Sequence, residues 1–377
     1  MINTKHFYDL LVNEGAGFFT GVPDSLLKDI CAYITDNTSP ERHIIAANEG
    51  NAVGLAAGYH LATGKIPVVY MQNSGLGNAV NPLLSLVDEA VYKIPLLLMI
   101  GWRGEPGIKD EPQHIKQGAV TLNLLEAMQI PYLVLSAEQN TADREVKNAF
   151  KHIKDTNKAF AIVIRKGTFE PYKIKQKIES DYNLGREEIL EILLKHLKND
   201  ELIVSTTGKT SREVFELREK LEQGHDRDFL TVGSMGHASQ IALGIALAKP
   251  ARRVVCLDGD AAALMHLGGM AIIGAQAPGN YLHIIINNGA HESVGGQPTV
   301  AFNVDFPAIA KANNYKFAAS VSTKDALIDT LNSLRDNHYP ALIEIKVKTG
   351  ARKDLGRPTI KPVDNKANFM KNIAGGL

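Results

Sequence analysis

The sequence predicts an α/β protein of two domains, each a mostly parallel sheet flanked by helices. Three observations predict it. Short apolar runs of β type alternate with helical runs along the whole chain. A polar, lysine-containing stretch at 168–184 separates two halves of similar rhythm. One part of the second half reads strand, helix, strand, with a crossover long enough for parallel pairing. A chain of 377 residues can bury two sizeable cores.

In the first half, residues 16–20 read as a strand and 24–35 as an amphipathic helix, with Leu26, Leu27, Ile30 and Tyr33 at helical spacing. Strands follow at 44–47, 67–71, 95–100 and 159–164. Helices are expected at 51–63, from about Asn78, and at 122–128. In the second half, helices are expected at 187–197, 212–219, 239–248, 262–276, 307–312 and 324–335. The strands there are 202–205, 253–257, 281–286, 318–321 and 341–347. The domain limits that follow are 1–170 and 186–350, with 171–185 as linker and 351–377 as a tail packed on the surface or on a partner. No solenoid-type repeat is visible.

Lys+Arg and Asp+Glu are both 41, so the chain is neutral and has no basic excess for nucleic acid or an anionic membrane. Cys31 and Cys256 lie in apolar stretches and read as buried thiols of a cytoplasmic protein, not as a disulfide framework. The N-terminus has no long apolar run, and the longest apolar strands are too short to span a bilayer.

The chemistry concentrates at Leu257-Asp258-Gly259-Asp260-Ala261-Ala262 and at Asn287-Asn288-Gly289. In a parallel pair both clusters fall at one carboxyl edge, where open α/β sheets bind ligands. A carboxylate and an amide oxygen there are hard ligands suited to Mg²⁺, which takes its remaining ligands from phosphate oxygens. Each half alone is a common turn. Together, with 288 − 260 = 28 positions between them, they favour a metal site.

This pattern resembles the Gly-Asp-Gly…Asn-Asn motif of the thiamine-diphosphate-dependent 2-oxo acid decarboxylases and acetolactate synthases. Ala261 stands where the family has its second glycine, and a positive φ there would be disfavoured. Asn48-Glu49-Gly50-Asn51 and the alanine-rich run after it resemble the family's glutamate segment, and Met71-Gln72-Asn73-Ser74-Gly75-Leu76-Gly77-Asn78 its Ser-Gly-x-Gly loop. The latter is not a dinucleotide fingerprint, because Val80 replaces the third glycine. Gly233-Ser234-Met235-Gly236 resembles the Gly-x-Met-Gly segment, with Met235 placed 260 − 235 = 25 positions before Asp260.

The resemblance implies two thiamine-diphosphate-binding domains, pyrimidine-binding first and diphosphate-binding second, without a third domain between them. It implies Mg²⁺ on Asp260, Asn288 and the carbonyl of Ala290, and diphosphate at Gly259 and the amides of Ala261 and Ala262. Glu49 would bond the pyrimidine N1′, Met235 would wedge the two rings, and Gly233, Asn73 and Gly75 would line the cofactor. Without the resemblance, Glu49 reads as a helix N-terminal carboxylate and Met235 as core.

Three segments bear on substrate, and they resemble the phosphonopyruvate decarboxylases most closely, with sulfopyruvate decarboxylases next. Asp24 and Ser25, Arg103 and Lys109, and Glu292 and Ser293 are the candidate substrate contacts. A phosphonate needs a lasting cation, whereas the departing carboxylate does not. His114, His237 and His291 are candidate proton carriers. The expected reaction turns 3-phosphonopyruvate into 2-phosphonoacetaldehyde and CO2, within phosphonate biosynthesis. The resemblance also implies a homodimer or dimer of dimers, with active sites shared between subunits. Alternatives are a sulfopyruvate decarboxylase, a carboligase of the acetolactate synthase type, and a non-catalytic nucleotide-binding or regulatory protein.

Overall fold

The computed structural model describes residues 1–176, 178, 180–198 and 200–375. Positions 177 and 179 of the expected linker and 376 and 377 of the expected tail lie outside the described residues. The chain divides into two compact units, one formed by Met1–Lys177 with His291–Gln297, the other by Ile178–Ala290 with Pro298–Leu377.

The first unit runs α1 (Thr4–Asn13), β1 (Ala16–Gly21), α2 (Lys28–Asn37), β2 (His43–Ile45), α3 (Glu49–Thr63), β3 (Ile66–Gln72), α4 (Leu76–Pro82), β4 (Leu97–Gly101), α5 (Pro112–Ala127), β5 (Tyr132–Val134), α6 (Gln139–Thr156) and β6 (Phe160–Ile164). The second runs α7 (Arg186–His196), β7 (Leu202–Ser205), α8 (Lys209–Lys220), β8 (Asp228–Leu230), α9 (Ala238–Ala248), β9 (Val254–Gly259), α10 (Asp260–Met265), α11 (Gly269–Gln276), β10 (Tyr281–Asn287), α12 (Phe306–Ala312), β11 (Phe317–Val321), α13 (Lys324–Ser333), β12 (Ala341–Lys346) and α14 (Pro362–Ala374).

Both sheets are six-stranded, and every strand pair in them is parallel. Their orders are β2-β1-β3-β4-β6-β5 and β11-β12-β10-β9-β7-β8. Counting strands from the start of each unit, these are one order read from opposite ends. The repeat invisible in the residues is therefore present in the topology. In each unit the order reverses between the first and third strands, and ligands bind outside the carboxyl ends at such a point. The central strands β1, β3, β4, β9 and β10 are buried on both faces, so they read as near-continuous apolar runs. One core packs on each face of each sheet.

Several expectations need correction. The helix expected from Asp24 starts at Lys28, because the Asp24 carboxylate is turned inward and accepts from the Leu26 amide at 2.9 Å. The helix expected at 122–128 begins ten residues earlier, at Pro112. Its first turns, Gln113-His114-Ile115-Lys116-Gln117, carry too few apolar residues to show a periodicity. The helix expected at 262–276 is two helices, broken at His266-Leu267-Gly268. Asp258 lies inside β9 and is buried, so it is not part of a turn. Three elements were not anticipated in the first unit (α1, β5 and α6), and β8 and α14 were not anticipated in the second.

The tail is more ordered than its polarity suggests. Arg352 pairs with Glu187 and Glu216, and α14 then packs on the outer strand β8. Asn365 donates to the Asp228 carbonyl at 2.8 Å and accepts from the Leu230 amide at 3.3 Å. This covers part of an edge strand that would otherwise expose unpaired backbone groups. Phe369, only 4% exposed, stacks toward Phe229 with ring centroids 5.7 Å apart. We expect Phe369→Ala to lower the free energy of urea unfolding by about 3 kcal/mol, with an unchanged denaturant slope. A loss under about 0.5 kcal/mol would mean that α14 is not part of the core.

Candidate active site

In the second unit, β9 and β10 pair with Gly259 opposite Ile286. That register sets Asp260, the first residue of α10, level with the chain leaving β10 at Asn288. Asp260 is 3% exposed. Its Oδ2 accepts from the Thr299 hydroxyl at 2.6 Å, and its carboxylate also accepts from the amides of Ala261 and Asn288. Among the described residues no ion pair reaches it, and burial pushes its pKa up to about 6. Asn288 is buried, and its Oδ1 accepts from the Ala290 amide at 3.1 Å. Gly289 has φ +67°, and a Cβ there would lie 2.6 Å from the Phe302 ring, so only glycine makes this reversal.

The Asp260 carboxylate thus meets the backbone of Asn288, in a turn that also offers the Asn288 amide oxygen and the Ala290 carbonyl. A buried carboxylate is costly to keep ionised unless a cation joins it, and all-oxygen donors suit a hard divalent ion. The donor set fits Mg²⁺. Ala261 lies in helical backbone and no positive φ is recorded for it, so the departure from glycine costs nothing here. Its amide, expected to face diphosphate, is engaged by the Asp260 carboxylate.

Met235 lies in a tight loop in which Ser234 and Gly236 have φ +55° and +85°. His237 shares its Nδ1 with the carbonyls of Ser234 and Met235, both at 3.2 Å. Its ring lies 4.5 Å from that of His266, and a Cβ on Gly236 would come within 2.6 Å of the His266 ring. The expected continuous helix at 262–276 concealed His266. Below the Asp260 loop, Asp258 and His283 face each other at 3.5 Å between β9 and β10. His291, Glu292 and Ser293 belong to the segment His291–Gln297, which groups with the first unit. The His291 amide donates to the Gln297 carbonyl at 2.8 Å, and burial lowers the imidazole pKa to about 4.

In the first unit, Asn48 caps α3 by accepting from the Asn51 amide, and Glu49 opens the helix. Glu49 is 5% exposed, with Oε2 held by Asn78 Nδ2 at 2.7 Å. Oε1 is pressed toward Gly75, where a Cβ would sit 2.4 Å away. The glycine is required by the carboxyl group beside it.

A second polar cluster spans the point of strand reversal. Asp24, fully buried, follows β1 and accepts from Gln72 Nε2 at the end of β3 at 2.6 Å. Burial raises the pKa of its carboxyl group. Gly101 allows this, since a Cβ there would lie 2.1 Å from Asp24 Oδ2. Arg103 Nη1 donates to Ser25 Oγ at 2.8 Å, and the guanidinium forms a two-armed pair with Asp110. Asn73 clasps the Arg103 backbone, accepting from its amide at 3.1 Å and donating to its carbonyl at 2.8 Å. His114 stands nearby; burial, then the positive charge of Arg103, lower its pKa to about 4. Lys109 is exposed.

Two models of the thiamine pyrophosphate enzymes match the chain: the N-terminal TPP binding domain over residues 3–123 and the C-terminal TPP binding domain over 207–345. It is 34% identical to a phosphonopyruvate decarboxylase of Streptomyces viridochromogenes, across 98% of this chain and 94% of that one. The chain belongs to the phosphonopyruvate decarboxylase family of thiamine pyrophosphate enzymes. A phosphonopyruvate decarboxylase of Streptomyces hygroscopicus matches at the same identity and coverage. A sulfopyruvate decarboxylase of Methanosarcina acetivorans is 27% identical, across 91% of this chain and 90% of that one.

Several partners of the anticipated residues were not among the candidates read from the sequence: Gln72, Asn78, Asp110, His266, Thr299, and Thr121, which accepts from Asn73 Nδ2 at 2.9 Å. Gln72, Asn78, Asp110 and Thr299 lie inside the segments that carry the cofactor and substrate candidates, and none of the six has a motif signature of its own. They are found only as partners of the anticipated residues.

Two outcomes follow. Gly75→Ala should push the Glu49 carboxyl off Asn78 and cost about 1–3 kcal/mol of stability by thermal unfolding. A neutral result would show that the Glu49 rotamer is not fixed there. The Asp260 carboxyl, near 6 when folded against about 3.9 when unfolded, binds more protons in the folded state between those values. Without divalent cations, its contribution is therefore present at low pH and lost as pH rises through about 6. Asp260→Asn should remove this share of the fall, read as the difference in urea midpoint between variant and parent from pH 4 to 7.

Proposed function

We propose that the protein is a thiamine-diphosphate- and Mg²⁺-dependent decarboxylase that converts 3-phosphonopyruvate to 2-phosphonoacetaldehyde and CO2. The observation that carries the reading is the buried Asp260 carboxylate, without a cation, beside Asn288 and Ala290. The relatives' names support the substrate, at 34% identity for the phosphonate enzymes against 27% for the sulfonate enzyme. Residues 1–170 serve as the pyrimidine-binding domain and 186–350 as the diphosphate-binding domain.

Asp260 Oδ, Asn288 Oδ1 and the Ala290 carbonyl would hold Mg²⁺, with Gly259 and the Ala262 amide toward the diphosphate. Gly233, Met235, Asn73 and Gly75 would seat the rings. When bound, thiamine diphosphate supplies a carbon nucleophile and an electron sink that allow a 2-oxo acid to lose CO2. Glu49, fixed through Oε2 by Asn78, keeps Oε1 to hold a proton against the aminopyrimidine. The carbon that loses CO2 must gain a proton. His114 and His291, with pKa values near 4, are neutral at pH 7. Burial raises the pKa of the Asp24 carboxyl, which makes it a further candidate for that transfer. Loss of CO2 would draw forward an unfavourable formation of phosphonopyruvate, which places the reaction in phosphonate biosynthesis.

The surface supports a homodimer or dimer of dimers with sites at subunit interfaces. Helices α3, α9 and α11 are apolar around most of their circumference, yet Leu61 and Ile272 are 72% and 52% exposed. The same reading has Glu49 of one subunit serve the cofactor held by another. Both cysteines are free and buried, which suits the cytoplasm. No helix among the described residues is long and apolar enough to cross a membrane.

The test is CO2 release from phosphonopyruvate, sulfopyruvate and pyruvate with thiamine diphosphate and Mg²⁺. Phosphonopyruvate is expected to give the highest kcat/KM, and Glu49→Gln to lose on the order of 100-fold or more in kcat. Preference for sulfopyruvate would move the protein to the sulfonate enzymes. Unchanged turnover in the variant would remove Glu49 from proton transfer.

A further inference from the structure

The Arg103–Asp110 pair has the composition of an occupied anion site. The Asp110 carboxylate takes Arg103 Nε at 2.7 Å and Nη2, the Gly104 amide at 2.8 Å and the Glu111 amide at 2.7 Å. Two guanidinium N–H groups and two backbone amides converging on one oxyanion are also the donors that a phosphonate, with three acceptor oxygens, engages. The pair is not sealed: the side chains of Arg103 and Asp110 are 18% and 14% exposed.

The two halves of the site differ in rigidity. The Arg103 side is fixed. Asn73 ties both backbone groups of Arg103. Gly104 is wedged against α5, where a Cβ would lie 1.9 Å from the His114 carbonyl oxygen. The Asp110 side is carried by residues 106–109, which are all exposed and include Gly107 at φ +85°. The receptor half is therefore built into the sheet edge, while the carboxylate half rides on a surface arm.

We propose that Asp110 stands in for the substrate's terminal anion, and that a phosphonate-bearing substrate binds by displacing it from Arg103 and the amides of Gly104 and Glu111. This rests on the decarboxylase reading above and adds how the acid is chosen. Arg103 with Asp110 in place carries no net charge, so the seat ignores the methyl group of pyruvate. A dianion gains the guanidinium only by expelling the carboxylate. Asp110 is then a specificity-determining residue, and it touches no reacting atom.

The test compares Asp110→Asn and Arg103→Lys with the parent holoenzyme. KM is measured for phosphonopyruvate and for pyruvate, and binding of methylphosphonate is followed by calorimetry. Asp110→Asn weakens the occupant, so the phosphonopyruvate KM and the methylphosphonate Kd should both fall by about tenfold, with the pyruvate KM unmoved. Arg103→Lys loses the two-armed fork, so both should rise by about tenfold. A pair that only holds the loop would instead raise KM in both variants, for both acids, and that result overturns the proposal. Absence of CO2 release by the parent enzyme would fail the decarboxylase reading alone. The methylphosphonate arm would still decide the anion seat: tighter binding to Asp110→Asn supports it, and equal binding overturns it.

Discussion

The site depends on one registration of backbone, the parallel pairing of β9 with β10 that sets Gly259 against Ile286. A slip of one residue would turn Asp260 away from Asn288 and reverse the facing of every side chain on the strand. With the register in place, the Asn288 amide donates to the Asp260 carboxylate, and Gly289 turns the chain so that Ala290 follows closely. The buried charge so created lacks a counter-charge. That lack is a destabilising feature kept at the edge of a well-packed sheet, and a bound divalent cation would relieve it.

The two units use the same edge for different ends. In each, the residue that follows the third strand reaches across to the backbone that follows the fourth. Asp260 accepts from Asn288 in one unit, and Asn73 clasps Arg103 in the other. The second unit leaves a carboxylate without a cation. The first sets an arginine there and answers it with Asp110. One topology thus supports a site for a cation and, in its counterpart, a site for an anion. Both lie at the carboxyl edge of the sheet, beside the point where the strand order reverses.

Much of this was legible in the residues. The buried strands announced themselves as apolar runs, and the spacing from Asp260 to Asn288 placed these two polar residues at one sheet edge. Most of what escaped notice had physical reasons. The first turns of α5 are polar, whereas α6 carries Val146, Ala149, Phe150 and Ile153 at helical spacing, a periodicity that was overlooked. β5 and β8 are three-residue edge strands with little pattern to read. The break at His266 interrupts an apolar run that looks continuous. Asn78, Asp110 and Thr299 act as partners, and a partner is visible only when distant residues are brought together. Asp110 lies seven residues from Arg103, in a segment from which only the two cations Arg103 and Lys109 were singled out.

The central claim is that Asp260, Asn288 and the Ala290 carbonyl form the metal seat of a cofactor whose other end meets Glu49. It is tested most directly by the anomalous scattering of Mn²⁺ in a crystal grown with thiamine diphosphate. The account places the ion about 2.2 Å from Asp260 Oδ, Asn288 Oδ1 and the Ala290 oxygen, with the aminopyrimidine within hydrogen-bond reach of a Glu49 carboxyl. An ion bound elsewhere, or a pyrimidine remote from every Glu49, would contradict it.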